Sequence, residues 1–283
     1  MTIFDNPHAA MAGAYPARPF RLKHHFSGNS LFTLPALLEL ARRLPPETIE
    51  YNSGDIPIDQ NPDETPMTGL SIEETIRRIN ECNSWMVLRN VQQDPVYKAA
   101  LEECLAEIAP AAASTGPMYQ KAGFIFISSA NATTPIHLDP EHNILVHLSG
   151  QKRMAIYRSD KGVISDEHHE LYHVGKAHRN LNHRPDFDAF ADIYDLEPGD
   201  AVYVPVKAPH WVKTGPSPCI SFSITWRSRA SDAEARLRIA NHYIRKMGGR
   251  PPAPGEHPAR DAAAVFAQRV ASKFGRAFGR RAR

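Results

Sequence analysis

The stretch TTPIHLDPEHN, residues 133–143, decides how the rest of this chain is read. His137 and Asp139 stand two residues apart, and strand side chains alternate faces, so on a strand both point one way and Leu138 the other. Two metal ligands can be presented like this without bending the backbone. A hydrogen-bonded His/Asp pair at a strand end has the same spacing and needs no metal. The later run LEPGDAVYVPVKAPHW, residues 196–211, adds a second imidazole, because it sets His210 just past a strand, after a turn and two prolines that fix its approach. Two imidazoles and one carboxylate cover one face of an octahedral Fe(II) and leave three positions for a bidentate co-substrate and dioxygen. Zinc hydrolases use similar donors but have no use for a lysine across the site. Lys152 in SGQKRMAIY is therefore the arbiter. It is expected at the start of a strand paired with the one that follows the His-x-Asp pair, reaching inward as a cation for a distal carboxylate.

Around these residues the apolar period is that of strands: GFIFISS, HNILVHL, KRMAIY, AFADIYDL, AVYVPV and CISFSITW. The turns SGQK and EPGD separate such runs, which are too short and too closely spaced for repeated βαβ units, so a barrel or sandwich is favoured. Residues 1–120 read as a helical region packed on this core. Thr33 caps LPALLELARRL, Ser71 and Glu74 form a capping box, and Asp94 then Pro95 start a helix with Tyr97, Leu101, Cys104, Leu105 and Ile108 in a stripe. Between them NSWMVLRN is a strand or a tight connector. Residues 121–228 form the sheet-rich core and residues 229–283 the C-terminal helices and basic tail. Within that last region SDAEARLRIANHYIRKMGG is a helix with Ser231 as its cap and Gly248 near its end. The fold class is mainly β with helical additions at both ends.

The chain has 283 residues, 42% of them apolar and 23% charged, and a formal net charge of +2, which describes a soluble globular protein. The near-neutral total conceals a basic end, since Arg260 to Arg283 holds seven basic residues and one acid, leaving the remainder net acidic. Cys82, Cys104 and Cys219 match neither a disulfide framework nor a zinc spacing, so a reducing compartment, the cytoplasm, is expected. Neither a targeting signal nor an apolar run long enough to cross a bilayer is visible, so no integral membrane association is expected.

These motifs together resemble the JmjC-like, or cupin-like, Fe(II)/2-oxoglutarate oxygenases, and especially the branch with the asparaginyl hydroxylase that acts on hypoxia-inducible factor. The pattern is Thr134-Pro135-Ile136-His137-Leu138-Asp139, then Asn143, then Gly150-Gln151-Lys152, then Pro198-Gly199-Asp200 through Pro209-His210-Trp211. The resemblance covers roughly residues 120–227 and implies a double-stranded β-helix, the cupin or jelly-roll core. It implies that His137, Asp139 and His210 bind Fe(II), that Lys152 takes the far carboxylate of 2-oxoglutarate, that Thr134 hydrogen-bonds the same carboxylate, and that Asn143 lines the pocket floor. Where the family often has an asparagine on the last barrel strand, SFSITW offers Ser221 or Ser223, with a shorter reach. The implied activity is hydroxylation of a protein side chain or small molecule, with 2-oxoglutarate decarboxylated to succinate. The alternative is a cupin-like protein that binds metal or ligand, or regulates, without turnover.

Other features bear on the site less directly. His147 shares strand parity with Asn143 and points inward, as a satisfied core residue, a substrate contact or an extra metal ligand. The His-rich run from Glu167 to Asp188 is a solvated excursion, a second metal site, or a flap presenting Tyr172, Lys176, His178, Arg179 or Asn180 to substrate. Trp211 is packing that fixes His210. The last helix, with Phe266, Val270, Phe274 and Phe278 at four-residue intervals among basic residues, reads as packing in a homodimer or on the N-terminal helices, as a loosely ordered basic tail, or as a contact for anionic lipid or nucleic acid. Nothing in the chain spells a nucleic-acid module.

Overall fold

A computed structural model describes residues 2–158 and 162–279, the last six of these by backbone alone. Among the described residues eleven strands form two antiparallel sheets. The strands are β1 (Phe20–Lys23), β2 (Ile49–Ser53), β3 (Ser84–Arg89), β4 (Tyr119–Ser128), β5 (Thr133–His137), β6 (His142–Ser149), β7 (Lys152–Tyr157), β8 (Ala191–Leu196), β9 (Asp200–Val204), β10 (His210–Thr214) and β11 (Cys219–Arg227). The major sheet runs β1-β9-β6-β11-β4-β3-β2 and the minor sheet β5-β10-β7-β8. The helices are α1 (Pro7–Met11), α2 (Leu34–Arg43), α3 (Ile72–Arg77), α4 (Pro95–Ile108), α5 (Asp166–His173), α6 (Arg229–Lys246) and α7 (Pro258–Gly279). The arrangement is the expected jelly roll with helical additions. No described helix is long and apolar enough to cross a membrane.

Period-two alternation sorts the major sheet into a dry face and a chemical face. On β11, Ile220, Phe222, Ile224 and Trp226 pack with Ile125 and Ile127 of β4, Ile144 and Val146 of β6, and the apolar stripes of α2 and α4. Each fully buried side chain of this kind is worth roughly 1.5–3 kcal/mol, which makes this layer the main anchor of the fold. The alternate residues, Ser223 and Thr225 on β11, Asn143 on β6 and Ser128 on β4, line the cavity between the sheets. Behind that cavity a smaller cluster of Leu145, Met154, Ile156, Val202, Val204 and Val212 joins the two sheets.

Local signals at helix ends hold where the reading placed them. Thr33 caps α2, Ser71 and Glu74 make the reciprocal box on α3, and Asp94 accepts from two backbone amides at the start of α4. Three points differ. The N-terminal region is more than helical, since it contributes β1, β2 and β3 to the major sheet. The cap of α6 is Ser228, not Ser231; Ser231 is the third helical residue and returns the bond to the Ser228 backbone. Ser228 wins the position because its extended backbone breaks the helix and its hydroxyl is also held by His142 Nε2.

The third difference concerns Lys152. The SGQK turn does not make a hairpin, because β6 belongs to the major sheet while β7 pairs with β10 and β8 in the minor one. The chain changes sheets at Gly150, whose φ of +78° is a left-handed conformation. A Cβ there would sit 2.4 Å from Pro218 O and 2.6 Å from Cys219 Sγ. Gly150→Ala is therefore expected to destabilise the fold by about 2 kcal/mol or more, from strain and the clash together. A urea midpoint equal to that of the unsubstituted chain would contradict this reading of the corner.

Candidate metal and co-substrate site

His137 closes β5 and His210 opens β10, and the two are direct partners in the antiparallel register. Their ring centroids are 4.1 Å apart. Asp139 lies beyond the end of β5 rather than on it, so the shared face expected of a strand is supplied by the turn instead. Leu138 N donates to Arg179 O, and Lys207 N donates to Asp139 O at 2.7 Å, which holds the turned segment. Asp139 Oδ2 is then 3.8 Å from His137 Nε2 and 3.7 Å from His210 Nε2.

Each imidazole is pinned by the carbonyl two residues before it. His137 Nδ1 donates to Pro135 O at 2.7 Å and His210 Nδ1 to Ala208 O at 3.0 Å. A carbonyl only accepts, so both rings carry their proton on Nδ1 and turn the Nε2 lone pair toward Asp139. Burial lowers the basicity of both rings, and at His137 the neighbouring His210 and Arg179 add to it. At Asp139 burial works to raise the carboxyl, but the Arg179 guanidinium followed by the two imidazoles outweighs it and holds the group at about 2. Two neutral nitrogens and an ionised oxygen therefore converge, with ligand atoms within 4.8 Å of one another. This donor set fits Fe(II), and facial coordination leaves the remaining positions for a chelating co-substrate. Among the described residues no other group of three metal ligands occurs, so the His-rich run brings together no second metal site there.

The triad opens onto a cavity of about 280 Å³ whose walls include Phe124, Phe126, Thr134, Asn143, Lys152 and Ser223. Lys152 is 6% exposed and donates to Ser221 Oγ at 2.8 Å. Ser221 must then pass its own proton to His147 Nδ1 at 3.0 Å, and His147 Nε2–H donates to Gly150 O at 2.9 Å. This chain fixes the ammonium and settles His147 as a core residue rather than a substrate contact. Burial pushes the lysine down to about 8. No carboxylate among the described residues pairs with it. A buried ammonium that bonds only a hydroxyl suits an incoming carboxylate. Ser223 Oγ donates to Asn143 Oδ1 at 2.6 Å and both side chains line the cavity, whereas Ser221 is bonded to Lys152 and His147.

Two contributions were not assigned from sequence. Arg179 Nη2 lies 3.0 Å from Asp139 Oδ1, the oxygen turned away from the imidazoles. It arrives there because Asn180 bridges to His137 and Leu181 N donates to Ile136 O, so residues 179–181 lie along the free edge of β5. Of the proposed flap residues, Tyr172 and Arg179 line the cavity, and His178, Arg179 and Asn180 line an adjoining groove of about 420 Å³. Phe124 and Phe126, readable from the parity of GFIFISS, form the apolar wall. Trp211 donates from Nε1 to Tyr157 Oη, which keeps the strand carrying His210 in register. Arg179→Ala is expected to weaken metal binding by about 10- to 100-fold through loss of the partner that orients the carboxylate. Titration with Co(II), followed by visible absorption, measures this; an unchanged affinity would remove Arg179 from that role.

A double-stranded β-helix, a two-histidine, one-carboxylate triad and a buried lysine lining the same cavity define an Fe(II)- and 2-oxoglutarate-dependent oxygenase on a cupin-type fold. Residues 108–233 match the family described as the JmjC domain. Solved structures of Escherichia coli YcfD are similar in fold. The complex with cobalt and 2-oxoglutarate is 17% identical with a TM-score of 0.52, covering 95% of this chain and 67% of that one. The complex of that ribosomal oxygenase with cobalt and succinic acid is 15% identical with a TM-score of 0.51, with the same coverage. This chain thus spans about two thirds of the length of that protein.

Proposed function

We propose that this chain hydroxylates a side chain of a polypeptide. In the balanced reaction one atom of dioxygen enters a C–H bond, and the other ends in succinate as 2-oxoglutarate loses carbon dioxide. Dioxygen is the oxidant, which bound Fe(II) and 2-oxoglutarate would activate; the chain supplies orientation and an enclosed cavity. His137, Asp139 and His210 hold the metal. Lys152 takes the distal carboxylate, Thr134 hydrogen-bonds it, and Asn143 with Ser223 forms the polar floor. The observation that carries the reading is the buried, carboxylate-free ammonium of Lys152 in the same cavity as the triad.

A polypeptide is favoured over a small molecule by the adjoining groove, which shares Phe124, Phe126, Thr134, His137 and Arg179 with the cavity and so leads an extended chain to the metal. The narrower asparaginyl hydroxylase branch rests on the shared motifs alone, so no target side chain is assigned. The chemistry is assigned to residues 121–228, in the cytoplasm, with residues 1–120 and 229–283 governing access and assembly. A homodimer through the C-terminal helices is supported by the exposed Tyr243, Met247, Phe266 and Val270; Phe274 and Phe278 lie outside the residues whose side chains are described.

The test is succinate release by anaerobically Fe(II)-loaded protein given 2-oxoglutarate, with and without a proteome-derived peptide mixture. The expected result is iron-dependent succinate, stimulated by peptides that gain one oxygen atom in mass. Binding of 2-oxoglutarate with no succinate under any condition would instead identify a cupin that binds without turnover.

A further inference from the structure

A second cleft, of about 570 Å³, lies behind the metal-binding turn and shares no lining residue with the triad cavity. Among the described residues its charged walls are Arg18, Arg158, Lys207, Arg238 and the carboxylate of Glu234. The two inner cations are already set in place. Glu234 lies between them, with Oε1 accepting from Arg238 Nε at 2.8 Å and Oε2 against Lys207 Nζ, while Asp166 takes the Nη1 of Arg238. The outer cation Arg18 is exposed, donates to Gly13 O at 2.7 Å, and has no ion-pair partner among the described residues. His169, 6% exposed, also lines the cleft, and its Nδ1 has no hydrogen-bond partner. Ala230 and Ser231 bring the first turn of the 18-residue α6 to the same place, adding the positive end of a helix dipole.

We propose that this cleft binds a phosphate group, either free or as the monoester of a small metabolite. Cations arriving from separate elements match a tetrahedral oxyanion, whose oxygens point in several directions, better than a planar carboxylate, whose two oxygens are met by one fork. The buried, partnerless nitrogen of His169 gives the anion a contact inside the cleft, and the cleft has room for an organic remainder beyond the phosphate. Lys207, on its inner wall, is the residue whose backbone N–H holds Asp139 O, so the anion would sit one residue from the metal-binding turn without touching it.

The test is titration calorimetry on the full chain with inorganic phosphate and, separately, glycerol 3-phosphate. Binding of either is expected, and tighter binding of the ester identifies a metabolite site whereas equal binding identifies a phosphate site. Arg18→Ala, at an exposed position where folding is not at stake, is expected to weaken binding by about tenfold or more. Its affinity for 2-oxoglutarate should not change. Absence of binding of both probes up to roughly 10 mM, an affinity too weak to matter for a built site, overturns the proposal. Equal affinity of the unsubstituted chain, Arg18→Ala and Arg158→Ala also overturns it.

Discussion

His137→Ala and His210→Ala are each expected to abolish 2-oxoglutarate turnover and to weaken metal binding by more than about 100-fold. The magnitude follows from the donor count. Loss of an outer partner of a metal ligand already costs about 10- to 100-fold, and here one of only three direct donors is lost. The remaining imidazole keeps its own carbonyl clamp, so it stays oriented and does not swing to compensate. Folding should survive, because a neutral ring held by one backbone carbonyl contributes modestly to stability. The measurement is Co(II) titration alongside succinate release, with circular dichroism to show that the fold is kept. A folded variant that binds the metal as tightly as before would take that histidine out of the ligand set.

Lys152→Met should separate binding of the co-substrate from binding of the metal. Removing one partner of a buried, hydrogen-bonded charge pair costs about 2–5 kcal/mol, which is about 30-fold to several thousand-fold in 2-oxoglutarate affinity. Metal binding should be unaffected. Without 2-oxoglutarate the substitution should be neutral or stabilising, because a desolvated ammonium bonded to a hydroxyl is replaced by an apolar chain of similar length. Burial brings the lysine down to about 8 from an ordinary 10.5. At neutral pH both the folded and the unfolded chain hold this proton, and the cost of burying the charge is fully present. Between about 8 and 10.5 the unfolded chain holds more protons, so stability rises with pH through that window. Affinity for the dicarboxylate should move the other way, weakening as the pH passes 8. Both trends should vanish in Lys152→Met. An affinity for 2-oxoglutarate that is flat from pH 7 to 10 in the unsubstituted chain would refute the assignment.

The parts of this architecture that were legible in sequence are those set by near neighbours. Helix starts at Thr33, Ser71 and Asp94 depend on a side chain reaching an amide two or three residues on, and the strand runs depend on alternation within a few residues. The triad was legible because the later Pro209-His210 run and the resemblance join a His-x-Asp pair that is common by itself to a second imidazole; the direct register of His137 with His210 is seen in the fold. What escaped depends on contacts distant along the chain. That Lys152 lies in the other sheet from β6 is decided at Gly150 by the carbonyl of Pro218 and the thiol of Cys219. The choice of Ser228 over Ser231 is tipped by His142, far earlier in the chain. Arg179 could be named among flap candidates, but its pairing with Asp139 depends on residues 179–181 lying along the edge of β5, which no local period records.

The direct pairing of His137 with His210 has a thermodynamic consequence. The two residues are far apart in the chain and meet only when β5 and β10 are laid together, so the unfolded chain offers the cation no comparable set of donors. A divalent ion that recognises only the native form shifts the folding equilibrium by mass action, by about 2.7 kcal/mol when its free concentration is 100 times its dissociation constant. A melting curve recorded at increasing metal concentration therefore weighs the strength of this site directly, before any substrate is known.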